Sequence, residues 1–254
     1  MSQLRKAIDR SMRGEGTNRL GFGQAASREK QRAMLLGVIE RDAESANAAL
    51  DAGAELVILR ANDVRSAVEA LQGIKETKAP VGAWISDLDG EGAESLANAG
   101  ADFVASPLDG TVADAVDTER MGQVVAVTGD IEEGTLRALS NLDLDALFVK
   151  RPGGRMTLQQ QVELARLTML SGSPLLVSSP AEITASELRV LRDAGAVAVV
   201  AADGATADEI KGLGERLREV KPRRRPERRD GAVALVPATG RGHEHDHDDD
   251  DDDD

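Results

Sequence analysis

The chain contains no cysteine and no tyrosine, and its aromatic residues are one tryptophan and three phenylalanines: Trp84, Phe22, Phe103 and Phe148. Without cysteine, disulfides and thiolate chemistry are excluded, and the absence fits a reducing compartment. Without tyrosine there is no phenolic general acid. So few rings cannot make the base-stacking platform that single-stranded nucleic acid needs. No apolar run approaches the roughly 20 residues of a membrane span. The first 13 residues carry charge throughout and lack the apolar core of a secretory signal. These absences predict a cytoplasmic protein with neither a membrane nor a nucleic acid as partner.

The net charge of −14 belongs mostly to one end. Residues 243–254 hold nine acids, with His243, His245 and His247 between them. Without those nine acids about −5 remains for residues 1–242, an ordinary surface charge for a domain. Residues 221–229 (KPRRRPERR) form a basic run with two prolines. Like-charge runs and proline argue against a packed core. Residues 221–254 therefore read as a disordered tail, basic and then acidic. Its alternating histidines and acids are of a kind that holds transition metals loosely, but a solubilising role is the plainer reading.

Between residues 33 and 220 one pattern repeats: a short apolar run, a polar turn, then an amphipathic stretch. The runs lie at 34–40, 55–60, 81–86, 102–106, 124–128, 146–150, 175–178 and 197–201. Each suits a strand buried on both faces, as in parallel sheets. Helical spacing follows, with Ala46, Ala49 and Leu50 on one face, Val64, Val68, Leu71 and Ile74 on another, and Leu158, Val162, Ala165 and Leu170 in a stripe. Asp42, Asp63, Thr157 and Ser186 fit helix N-caps, and Gly53, Gly73, Gly100, Gly172 and Gly195 fit helix ends. Parallel strands need crossovers, and eight right-handed crossovers close a (β/α)8 barrel. An open doubly wound sheet is the competing fold, but no GxGxxG or Walker motif follows the first run. Residues 1–32 read as a lead-in: one helix over 1–13, placed to plug the barrel bottom, then a glycine-rich loop at 14–23.

Barrels of this kind place their chemistry at the C-terminal strand ends. Lys150 ends the sixth run, and a neutral lysine there is a nucleophile for a keto group. The alternative is a mouth-edge lysine paired with Asp130 or Asp87. Glu40 and Asp130 are candidate general bases. Arg60, Arg151 and Ser106 are candidate ligands for a small anion. Gly153 and Gly154 sit before a helix and among cations, as in an anion cradle, although Pro-Gly-Gly also suits a simple turn. Glu40, Asp87, Asp130 and Asp203 are spread over separate loops, so no metal ligand set is assigned, and no cofactor.

Several segments resemble the 2-keto-3-deoxy-6-phosphogluconate aldolase family of phosphate-binding barrels, over roughly residues 38–150. They are Val38-Ile39, Asp42-Ala43-Glu44, Ala52-Gly53-Ala54, Val57-Ile58-Leu59-Arg60, the run AGADFVASP at 99–107, and Leu144-Asp145-Ala146-Leu147. The resemblance implies a Schiff-base lysine on strand six and an acid shortly before an arginine on strand two. Arg60 matches the arginine. The acid is missing, because residues 57–59 are apolar. The lysine position falls at Phe148, two residues before Lys150 and on the same strand face. The family's glycine-rich phosphate loops after strands seven and eight are replaced by Ser178-Ser179-Pro180 and Ala202-Asp203-Gly204. A phosphate or flavin phosphate seat is therefore not expected, which also disfavours a flavin oxidoreductase. Two readings stand: an aldolase- or lyase-like enzyme for a small anionic keto compound, or a non-catalytic barrel used for binding or assembly, with the charged tail as its interaction segment. The sequence leaves room for a homo-oligomer.

Overall fold

The computed structural model describes residues 1–13 and 33–222. The eight apolar runs form eight strands: β1 Leu35–Glu40, β2 Leu56–Arg60, β3 Val81–Trp84, β4 Phe103–Pro107, β5 Gly122–Val127, β6 Ala146–Lys150, β7 Leu175–Ser179 and β8 Ala196–Ala201. Each pairs in parallel with the next, and β8 returns to pair with β1, so the sheet closes. The expected (β/α)8 barrel is the observed fold. Seven helices follow the strands: α2 Ala43–Asp51, α3 Val64–Gln72, α4 Gly90–Asn98, α5 Glu133–Leu139, α6 Leu158–Ser171, α7 Ala185–Asp193 and α8 Ala207–Glu219. An eighth, α1 Gln3–Arg13, precedes β1.

Side chains alternate across each strand, and the two faces make two separate cores. Ile39, Ile58, Phe103, Val124, Phe148 and Val200 fill the barrel. Leu36, Val38, Leu59, Val104, Leu147 and Val199 pack outward against the helices. This parity decides which strand-end residues reach the mouth.

α1 plugs the bottom. Leu4 and Ile8 join the inner core and are fully or almost fully buried. Asp102, directly before β4, accepts the N–H groups of Gln3 and Leu4 at 2.6 and 2.7 Å. A carboxylate at this point satisfies orphan donors and complements the helix dipole. Asp145, directly before β6, accepts from the Ser2 hydroxyl at 2.5 Å and pairs with Arg5 at 2.6 Å.

Asp42, Asp63 and Thr157 cap α2, α3 and α6 as the sequence predicts. The cap of α7 is Thr184, two residues before the expected Ser186. Three features depart from the repeat. No helix lies between β4 and β5. The connection instead crosses the β3–α4 loop, where the Leu88 N–H donates to Gly110 O at 2.8 Å and the Val112 N–H to Leu88 O at 2.9 Å. A Cβ on Gly110 would lie 1.7 Å from the Ser86 carbonyl oxygen, so only glycine allows this crossing. On α6, the residues facing the barrel are Leu164, Leu167 and Ser171, whereas Leu158 and Val162 are 75% and 60% exposed. Of the stripe read from the sequence, Leu158 and Val162 lie on the outer face of that helix and Leu170 packs on the core. Lastly, β3 stops at Trp84, so Ser86 already lies in the loop.

The glycine-rich segment at 14–23 and the tail beyond Pro222 lie outside the described residues. Among the described residues no helix is long and apolar enough to cross a membrane.

Candidate functional site

The inner face at the C-terminal strand ends carries an aromatic floor. Trp84 ends β3 and meets Phe148 of β6 edge-on, with ring centroids 5.0 Å apart. These strands are three places apart in the ring of eight, so the contact crosses the interior. Arg60 ends β2, is the register partner of Trp84, and holds its guanidinium 5.3 Å from the Trp84 ring centre. A cation over the face of a tryptophan is attracted by the ring quadrupole. Lys150 lies two residues beyond Phe148 on the same inward face and is exposed. Its register partner Ser178 also faces inward and is buried. Among the described residues Lys150 has no ion-pair partner, so the pairing with Asp130 or Asp87 is not made.

Asp203, in the loop after β8, accepts two hydrogen bonds from Arg41 at 2.7 and 3.1 Å. That bond, together with the charges of Arg41 and Arg60, holds its carboxyl below the usual range. The mouth thus contains Arg60 and Lys150 above the rings, and an ionised carboxylate already engaged by an arginine.

Parity removes three sequence candidates from this group. Glu40 shares the outward face of Leu36 and Val38 and hydrogen-bonds Ser45 of α2. Burial pushes its carboxyl up. Ser106 shares the face of Val104, is fully buried, and accepts from the Thr111 hydroxyl at 2.7 Å. Arg151 shares the face of Leu147 and Val149, is buried, and donates to Ser179 Oγ at 3.3 Å and Gly154 O at 2.9 Å. Asp130 is exposed on the β5–α5 loop, where the Thr128 hydroxyl holds it low.

Gly153 and Gly154 make a turn, with Gly154 at φ +86°. The donors beyond it are engaged internally. The Met156 N–H goes to Glu187 Oε1 at 3.0 Å, the Thr157 N–H to Gln160 Oε1 at 3.0 Å, and the Gln160 N–H to Thr157 Oγ1 at 3.2 Å. The helices after β7 and β8 close in the same way. Thr184 and Glu187 form a capping box on α7, and Thr206 and Glu209 form one on α8. Such boxes satisfy orphan donors reciprocally. The two glutamates also place negative charge where an anion would sit.

The sequence missed Trp84 and Arg41. The signal for Trp84 was its alternation with Gly82, which carries the small residue opposite Phe103 on the inner face. The signal for Arg41 was only its place one residue past β1.

The raised carboxyl of Glu40 yields a pH prediction. A carboxyl raised in the folded state binds protons more tightly there than in the unfolded chain. Its stabilising contribution is complete below the unfolded value of about 4.3 and is lost as pH rises through the folded value. Glu40→Gln keeps the shape and the Ser45 contact without the buried charge. It is expected to raise stability near neutral pH by on the order of 1 kcal/mol, with the difference closing below about pH 4. Urea melts of both proteins at the two pH values measure this.

Closed parallel barrel, bottom plug and inward polar strand ends together define a (β/α)8 barrel protein. No family model and no curated protein matches the chain in sequence. Solved structures of enzymes with this architecture match it in fold. Tryptophan synthase from M. tuberculosis superposes with a TM-score of 0.59 at 14% identity, covering 86% of this chain and 98% of that one. Phosphoribosyl anthranilate isomerase from Thermus thermophilus gives 0.55 at 16% identity over 73% and 99% of the two chains. KGPDC from Streptococcus mutans, in complex with D-R5P, gives 0.56 at 11% over 74% and 98%. At these identities the likeness is one of fold.

Proposed function

We propose that the barrel is an enzyme of the aldolase or lyase class for a small keto compound bearing a carboxylate. One observation carries this reading: Arg60 and Lys150 both face inward at the mouth, on either side of the Trp84–Phe148 floor. Arg60 would hold the carboxylate with its planar fork. The Lys150 amine would attack the keto carbon and lose water to give an imine, which draws electrons from the neighbouring bond. The resemblance to the 2-keto-3-deoxy-6-phosphogluconate aldolase family supports a strand-six lysine, although Phe148 occupies the family's position. The test is borohydride reduction in the presence of a panel of small 2-keto acids, followed by peptide mass spectrometry. The expected result is a reduced adduct on Lys150 that Lys150→Ala abolishes and Arg60→Ala weakens about tenfold or more. No adduct on Lys150 across the panel overturns the proposal.

The second reading is a non-catalytic binding or assembly barrel. It is favoured by the capping boxes on α7 and α8 and by Asp203, which leave no seat for a phosphate-bearing substrate. Saturable binding of a keto acid with neither adduct nor turnover in the same experiment selects it.

A further inference from the structure

α6 carries two apolar faces. One packs on the barrel through Leu164, Leu167 and Ser171. The other lies opposite and is made by Leu158, Val162, Ala165 and Met169. Leu158 is 75%, Val162 60% and Met169 81% exposed. At 100° per residue these four fall within about 60° of one another, centred nearly opposite the buried face. Their spacing is four, three, four, the alternation of a helix–helix seam, with Leu and Ala at one set of positions and Val and Met at the other. A solvated helix has no reason to keep this spacing on its outer face.

The two charged residues of α6, Glu163 and Arg166, are each hydrogen-bonded within the chain. Gln159 and Gln161 flank its first half. Glu163 accepts from Gln159 Nε2 at 3.1 Å. Arg166 turns away and donates to the Gly129 and Ile131 carbonyls at 2.6 to 3.2 Å. With one acid and one base, α6 carries no net charge, so a second copy of the same helix meets apolar side chains and amides without net repulsion. By contrast α3 and α5 expose ion pairs on their surfaces, Arg65–Glu69 and Arg137–Glu133.

The geometry points to α6 as the centre of a two-fold interface between two copies of this chain. The stripe runs about 16 Å along the helix. It supplies the apolar middle of the roughly 800 Å² that each partner gives to a stable interface, and the glutamines and the edges of α5 and α7 supply a polar rim. The chain's own C-terminal region is a poorer occupant. Its apolar patch is only VALV at 233–236, set between a basic and an acidic run, and neither run finds opposite charge at this stripe.

The full chain is tested by sedimentation and light scattering from about 1 to 100 µM, a range that brackets micromolar dimers. The wild type is expected at twice the chain mass. Val162→Glu and Met169→Lys are expected at the monomer mass and still to melt in one cooperative transition, at the temperature that the wild type approaches on dilution, because both sites are exposed in the single chain. The absence of cysteine allows a second measurement. Val162→Cys is expected to form a disulfide-linked dimer under mild oxidation, whereas Arg65→Cys on α3 is not. A monomeric wild type overturns the inference. So does a dimer that survives the α6 variants, or equal crosslinking at both cysteine sites.

Discussion

Phe103→Ala is expected to cost about 3–5 kcal/mol, with the greater cost favoured by the surroundings. The ring is fully buried inside the barrel. It lies over Gly82, where a Cβ would come within 2.5 Å of it, and against Gly122, whose Cβ would be 3.1 Å from that of Phe103. Neither neighbour has a side chain with which to fill the space the ring leaves. The cavity therefore persists, and the cost of a cavity grows with the volume that does not collapse. Urea melts should show a lower midpoint at unchanged slope. A loss below about 2 kcal/mol would show that the barrel closes over the gap.

Leu4→Ala is expected to cost about 2–5 kcal/mol. Leu4 is fully buried at the bottom of the inner core, and its backbone N–H is fixed on Asp102. The polar bonds at Asp102 and Asp145 keep α1 seated when the side chain is cut back. The helix cannot sink to fill the space, so the substitution makes a hole beneath it. Thermal melting of the variant should remain one cooperative transition at a lower temperature. A second, earlier transition would instead mean that the plug leaves on its own.

The eight strands were legible because a strand covered on both faces reads as an unbroken apolar run. Caps at Asp42, Asp63 and Thr157 were legible because side chains there must answer orphan N–H groups. The missing helix between β4 and β5 was not, since its interval has the same length as a full unit. Its signature is Gly110, whose need depends on a carbonyl supplied by another loop. The outer stripe of α6 was taken for its helical signal because Leu158 and Val162 are as apolar as Leu164 and Leu167. Periodicity identifies a face without saying which way it points. The candidate site was half legible for a related reason. Strand ends mark who is near the mouth, but parity decides who enters it. Arg60 and Lys150 lie on the inward register, whereas Glu40, Ser106 and Arg151 lie one residue out of phase. Asp203 was visible as a charge hostile to phosphate, but not as the partner of Arg41.

The anchors of α1 have a consequence for how the chain is made. The residues that hold this helix lie far downstream: Asp102 is 98 positions from Leu4, and Asp145 is 143 positions from Ser2. An isolated helix of 11 residues is marginal in water. On the ribosome, this helix emerges before either of its polar anchors, and lacks the first until β4 exists and the second until β6 has followed. The plug is therefore synthesised before the residues that anchor it and seated late, and its anchoring reports that more than half of the barrel has been assembled above it.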